Sequence, residues 1–184
     1  MRAEGKRGPA NPDKGLTILF TGDGKGKTTA GLGCALRASG RGLKTLVVQF
    51  MKRPGESGEG VICPAVAGSI EIHAFGGGFF LEGDDPAPHQ AKVREAWEFM
   101  EKAVGTGKYH LLVLDEINVV LDLGLFPLER VIDFLRARGK TLHVILTGRR
   151  APGQLIDLAD IVTEMREIKH HFRTGAPATP GIDY

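Results

Sequence analysis

Residues Thr21–Thr29 read T-G-D-G-K-G-K-T-T, directly behind the apolar run Leu16–Phe20. Glycines at 22, 24 and 26 let the backbone approach an anion with no side chain in the way. The amides that open the following helix point at that anion, and the helix dipole favours its charge. Lys27 can reach the terminal phosphates of a nucleotide, and the Thr28 hydroxyl can bind Mg²⁺. A strand, a glycine-rich turn and a Lys-Thr pair opening a helix make a phosphate-binding P-loop. The chain departs from G-x-x-x-x-G-K-[ST] in one respect. Thr21 stands where the first Gly belongs, and the loop carries an extra Lys25.

A second group of polar residues follows the run Leu111–Glu116, L-L-V-L-D-E. An apolar strand ending in Asp115 resembles a Walker-B strand and places a carboxylate near the P-loop threonine, where Mg²⁺ sits. Glu116 could hold a metal-bound water, a ribose hydroxyl or an attacking water, and Asn118 could hydrogen-bond to any of these. The alternative is that Asp115 and Glu116 cap the next helical segment. Thr147-Gly148-Arg149-Arg150 follows another apolar run. Arginine clamps polyphosphates bidentately, so Arg149 is a candidate phosphate contact. His170-His171 lacks a partner at ligand spacing and reads as a solvated loop.

The elements that must carry these residues alternate in type. Strands are expected over Leu16–Phe20, Leu43–Phe50, Ile70–Phe75, His110–Asp115, Thr141–Thr147 and Ile161–Met165. Helices are expected over Thr28–Ser39, His89–Val104, Pro127–Arg138 and Pro152–Ala159, and Val61–Ala67 is ambiguous. Val93, Ala96, Trp97, Met100 and Val104 form one apolar stripe, which makes Trp97 a core residue. Alternating strands and helices, with several strands apolar throughout, give a mainly parallel sheet covered on both faces. Ligands bind outside the carboxyl ends of such strands. The chemically equipped loops all fall there.

Composition narrows the class. The chain has 184 residues and a formal net charge of +2, which gives no basic footprint for nucleic acid. No apolar run approaches the ~20 residues of a membrane helix. Cys34 and Cys63 make neither a disulfide framework nor a metal spacing, which suits the cytoplasm. The polar segment 1–14 reads as a mobile tail.

Taken together, the motifs resemble those of the P-loop corrinoid adenosyltransferases. The resemblance runs from Leu16 to Tyr184. It rests on Thr21–Thr29, V-V-Q-F-M-K (Val47–Lys52), Gly78-Phe79, L-D-E-I-N (Leu114–Asn118) and T-G-R (Thr147–Arg149). To these it adds L-A-D-I-V-T-E-M (Leu158–Met165), K-H-H-F (Lys169–Phe172) and G-I-D-Y (Gly181–Tyr184). It implies an α/β, three-layer P-loop NTPase-like (RecA-like) fold with a mainly parallel central sheet, formed by residues 15–184 as one nucleotide- and corrinoid-binding domain. It implies that Co(I) of a corrinoid, made by a flavoprotein or other reductant, attacks the 5′ carbon of ATP and expels triphosphate. Carried over by position, Gly22, Asp23, Gly24, Lys25, Gly26, Lys27, Thr28 and Thr29 hold triphosphate. Thr28 and Glu116 serve Mg²⁺ (or Mn²⁺), with Asp115 in support, and Asn118 and Arg149 join the same site. Lys27, Thr28 and Glu116 are the expected catalytic residues. Phe79 matches the aromatic residue that presses on the corrin to displace its lower ligand. The family's Trp two positions on is Leu81 in this chain, a departure that bears on how the lower ligand is displaced. The resemblance also implies a cytoplasmic homodimer. Two other functions fit a P-loop alone: a kinase or ATPase, and a corrinoid-carrying or nucleotide-sensing protein without turnover.

Overall fold

The apolar runs pair edge to edge, all in the same direction. The structure, a computed structural model, describes residues 14–61, 68–78, 80–81 and 83–183. In chain order its elements are β1 (Thr17–Thr21), α1 (Lys27–Ser39), β2 (Thr45–Gln49), β3 (Ile70–Ala74), α2 (Pro86–Gly105) and β4 (Leu111–Asp115). There follow α3 (Ile117–Asp122), α4 (Leu128–Ala137), β5 (His143–Thr147), α5 (Gly153–Leu158), β6 (Ile161–Glu164) and a 3₁₀ turn at His171–Thr174. The strands lie in the order β3-β2-β4-β5-β1-β6, and every pairing is parallel. The mainly parallel sheet expected from the sequence is parallel throughout.

Alternation along the strands sorts side chains onto two faces. Leu19, Leu46, Val48, Leu112, Leu114, Val144 and Leu146 share one face with Val93, Trp97 and Met100 of α2, Val131 and Leu135 of α4, and Leu155 of α5. Val47, Val113 and Ile145 point the other way and pack against Ala35 and Leu32 of α1. This is the three-layer P-loop NTPase-like arrangement. β2 and β4, in the middle of the sheet, are buried at every position, whereas β6 at one edge is exposed along its length.

Register brings the chemistry to one edge. Gln49 lies opposite Asp115, and Phe20 lies opposite Thr147. The carboxyl ends of β1, β2, β4 and β5 therefore line up beneath the P-loop.

Element ends differ from the sequence expectation where local chemistry decides them. α2 starts at Pro86 rather than His89, because Asp85 caps it by accepting from the Ala87 amide at 3.0 Å. Proline fits the first turn, where no amide bond is lost. α3 begins directly after Glu116, so Asn118 sits on a helix. Residues 62–67 of the ambiguous segment lie outside the described residues, as does the tail apart from Lys14, which pairs with Asp160 at 3.3 Å. Among the described residues, no helix is long and apolar enough to cross a membrane.

Trp97 is the largest fully buried side chain. Its ring lies 4.8 Å from Phe126 and 5.6 Å from Phe134, and its indole N–H has no hydrogen-bond partner among the described residues. Trp97→Ala is expected to cost about 3–5 kcal/mol of unfolding free energy in urea titrations. Trp97→Phe, which gives up an unused N–H, is expected to cost only about 1 kcal/mol.

Candidate active site

The P-loop leaves β1 at Thr21 and is tied at once to the end of β6. The Met165 amide donates to the Thr21 carbonyl (2.8 Å), and the Gly24 amide donates to the Met165 carbonyl (2.7 Å). Gly22 has φ +91, and a Cβ there would lie 2.4 Å from the Met165 carbonyl oxygen. No other residue fits that position. Gly26, at φ +111, turns the chain into α1. Thr21 stands where the standard motif has its first glycine. It is 8% exposed, and its hydroxyl accepts from the Ala151 amide at 3.2 Å, pinning the loop to the start of α5.

Lys27 opens α1, and its ammonium donates to the carbonyls of Gly22 and Gly24, each at 2.7 Å. Burial pushes its pKa below the ordinary lysine value, while Glu116 pulls it back up. Thr28, the next residue, donates its hydroxyl proton to Asp115 Oδ1 at 2.8 Å.

Asp115 is completely buried. Its Oδ1 accepts from Thr28 and from the Thr147 hydroxyl (2.7 Å), and its Oδ2 accepts from Gln49 Nε2 (3.2 Å). The Thr147 hydroxyl in turn accepts from the Glu116 amide at 2.9 Å. Glu116 stands at φ 63, a left-handed conformation that costs a non-glycine residue about 1–3 kcal/mol and gathers at functional sites. Burial first, and then the Asp115 charge, raise its carboxyl above the ordinary range. Neither residue caps α3 through its side chain in the way the sequence left open, since Glu116 at the N-cap makes no such bond.

Asn118 is buried on α3 and donates from Nδ2 to the Gly148 carbonyl at 3.1 Å, while its Oδ1 has no partner among the described residues. That contact joins α3 to the T-G-R loop. Arg149 is exposed and lines a small hollow with Glu167, His170, Phe172 and Arg173, yet its charge is felt at both Lys27 and Glu116. Thr29 lies on α1 beside Thr28, and Asp23 stands exposed on the loop.

The extra P-loop lysine has a partner from the far end of the chain. Lys25 Nζ lies 2.9 Å from Asp183 Oδ1, and His171 Nε2 lies 3.2 Å from Asp183 Oδ2. Asp183 of the G-I-D-Y motif thus docks on the P-loop. His170 and His171 stack on each other, and no cluster of three metal-type side chains occurs among the described residues. Leu81 is 64% exposed, with its amide donating to Asp84 Oδ2 at 2.8 Å. Phe79 lies outside the described residues.

The ATP:corrinoid adenosyltransferase family BtuR/CobO/CobP has a family model that matches residues 13–184. The chain belongs to this family. It is 35% identical over 175 residues to a corrinoid adenosyltransferase of Pseudomonas aeruginosa, covering 95% of this chain and 86% of that protein. A corrinoid adenosyltransferase of Escherichia coli K12 is 36% identical over 175 residues, covering 95% and 88%. The corrinoid adenosyltransferase CobA of Salmonella typhimurium is 36% identical over 183 residues, covering 100% and 92%.

Sequence reasoning assigned no role to Gln49, Lys52, Glu59 or Thr147. Gln49 donates to Glu59 at 2.9 Å as well as to Asp115, and Lys52 pairs with Glu59 at 2.5 Å. A glutamine inside the apolar run of β2, at the ligand edge, was a signal for the first. Glu59 sits in a glycine-rich segment, on a helical turn, with nothing in its sequence neighbourhood to mark it.

The Lys25–Asp183 pair has a titration consequence. The hydrogen bond from Lys25, then one from the Thr179 amide, lowers the Asp183 pKa to about 2. A depressed carboxyl contributes its stabilisation above the unfolded value of about 3.9 and loses it as pH falls toward the folded one. Carboxyl-carbon NMR titration is expected to place the Asp183 midpoint near 2, and Lys25→Met to move it upward.

Proposed function

We propose that this chain transfers the 5′-deoxyadenosyl group of ATP to Co(I) of a corrinoid and releases triphosphate, in adenosylcobalamin synthesis or salvage. The observation that carries this reading is the Thr28–Asp115 contact at the mouth of the P-loop, in a chain of this family. It joins a triphosphate cradle to a cation corner, and the leaving group of the reaction is a triphosphate.

The residues fit Mg²⁺ (or Mn²⁺). Thr28, Asp115 and Glu116 offer only oxygen, which suits a hard cation held by one or two carboxylates together with phosphates. Thr28 already gives its proton to Asp115, so its lone pairs are free for a cation. Asp115 already accepts three hydrogen bonds and acts through Thr28 as support, while Glu116 lies beside it under repulsion that a cation would relieve. When bound, the ion neutralises charge on the phosphates.

The chain's own residues then divide the work. The amides and glycines of Gly22–Gly26 receive the phosphates, with Asp23 on the loop's rim and Thr29 at the helix start. Lys27, Lys25 and Arg149 supply positive charge against the negative charge that builds on the departing triphosphate. Asn118 fixes the T-G-R loop against α3, which sets where Arg149 can reach. The cobalt electron pair forms the Co–C5′ bond, and the C5′–O bond breaks with its pair leaving on triphosphate. Cobalt goes formally from Co(I) to Co(III), so no general base is consumed. The exposed Leu81, next in the chain to Phe80 and two positions after Phe79 in sequence, is apolar surface of the kind a corrin covers. In this reading a flavoprotein-type reductant supplies Co(I), and the enzyme works as a cytoplasmic homodimer.

The test is anaerobic mixing with ATP, Mg²⁺ and reduced cob(I)alamin. A light-sensitive alkyl corrinoid with one triphosphate per turnover is expected. ADP or orthophosphate with an unchanged corrinoid would instead mark a kinase or ATPase, and binding without any product would mark a carrier or sensor. Lys27→Ala is expected to lower kcat/KM about 10²–10³-fold.

A further inference from the structure

The segment after β2 brings a third carboxylate and a second lysine to the Asp115 corner. One oxygen, Glu59 Oε1, receives both the Lys52 ammonium (2.5 Å) and Gln49 Nε2 (2.9 Å). The same ammonium stands 3.8 Å from Asp115 Oδ2, and the same amide nitrogen donates to that oxygen at 3.2 Å. Lys52 thus lies between two carboxylates but leans to one. Asp115 is fully buried, whereas the Glu59 side chain retains 19% of its exposure. Desolvation strengthens the pull of the buried carboxylate, since charges attract more strongly where water is excluded. Contact with Glu59 is what balances that pull.

We infer that Glu59 is a positioning residue that holds Lys52 off Asp115 and so keeps the Asp115 corner open to a divalent cation. Without the Glu59 charge, the ammonium closes the remaining gap to Asp115 Oδ2. A lysine seated there neutralises the carboxylate that supports Thr28, and it competes with the cation for the same field. Gln49 makes the coupling tight. Its Nε2 spends its protons on Glu59 and Asp115, and its buried Oε1 has no partner among the described residues. The two carboxylates are thereby kept at a fixed separation by one rigid amide. The inference rests on the proposed reading that a divalent cation works at Thr28 and Asp115.

Mn²⁺ binding to the full chain in the presence of ATP, followed by electron paramagnetic resonance and calorimetry, tests this without using turnover. Glu59→Gln is expected to weaken Mn²⁺ binding about tenfold, and Lys52→Met alone to change it less than about twofold. In the double variant, affinity is expected to return to that of Lys52→Met. Glu59→Asp, which keeps the charge and draws it back by one methylene, serves if the glutamine variant does not fold; its smaller loss must also vanish in the Lys52→Met background. Affinity unchanged in the Glu59 variants overturns the inference. So does a loss of the same size with and without Lys52, because Glu59 would then act on the cation directly or through the fold. A wild-type chain that binds no Mn²⁺ with ATP overturns the magnesium reading itself, a different result from either of these.

Discussion

A buried carboxylate must be satisfied from every side, and in this chain Asp115 is that carboxylate. Withdrawing an ion from water costs several kcal/mol even after relaxation. Asp115 recovers this through Thr28 of α1, Thr147 of β5 and Gln49 of β2. Each donor belongs to a different element. The contact therefore demands that β2 and β5 flank β4 and that α1 cross the sheet above them, which is the observed strand order. Much of the molecule's architecture can be derived backward from this one group.

The insertion of β5 between β1 and β4 sets the reach of the site. The P-loop emerges from β1, one strand removed from Asp115, so a side chain on β1 cannot bridge the gap. α1 does it instead. Gly31 lies on the helix face toward the sheet, where an added Cβ would be 3.2 Å from Val113 Cγ1. That close approach lowers the start of α1 until Thr28 touches Asp115. Thr147 then passes the constraint on to Glu116 through the Glu116 amide, and Asn118 extends it to the T-G-R loop. A chain of hydrogen bonds thus links the three loops that carry charge.

Local charge matters here far more than the net value of +2. Lys27, Lys52 and Arg149 face Asp115, Glu116 and Glu59 across a small, partly dry region. Lys27 is lowered by burial and Glu116 is raised by it, so both groups are held in environments that disfavour their charges. In the proposed reading, a triphosphate with its cation would bring opposite charge to each and offset that cost on binding.

The P-loop, the Walker-B-like strand, the parallel sheet and the Trp97 stripe were legible in the sequence because each is written in neighbouring residues. A phosphate loop needs its glycines and lysine within a few positions, and strands and helices announce themselves by period. Family membership was legible for the same reason, as several short motifs in fixed order. Helix starts were less so: α2 begins at Pro86 behind the Asp85 cap, ahead of the apolar stripe that marks the helix in the sequence. What the tertiary structure alone decided are the partners joined across long stretches of chain. Lys25 with Asp183, and Gln49 and Lys52 with Asp115, meet only because the folded chain brings them together. A hydrogen bond between residues distant in sequence leaves no periodicity and needs no particular spacing, so only the folded chain can specify it.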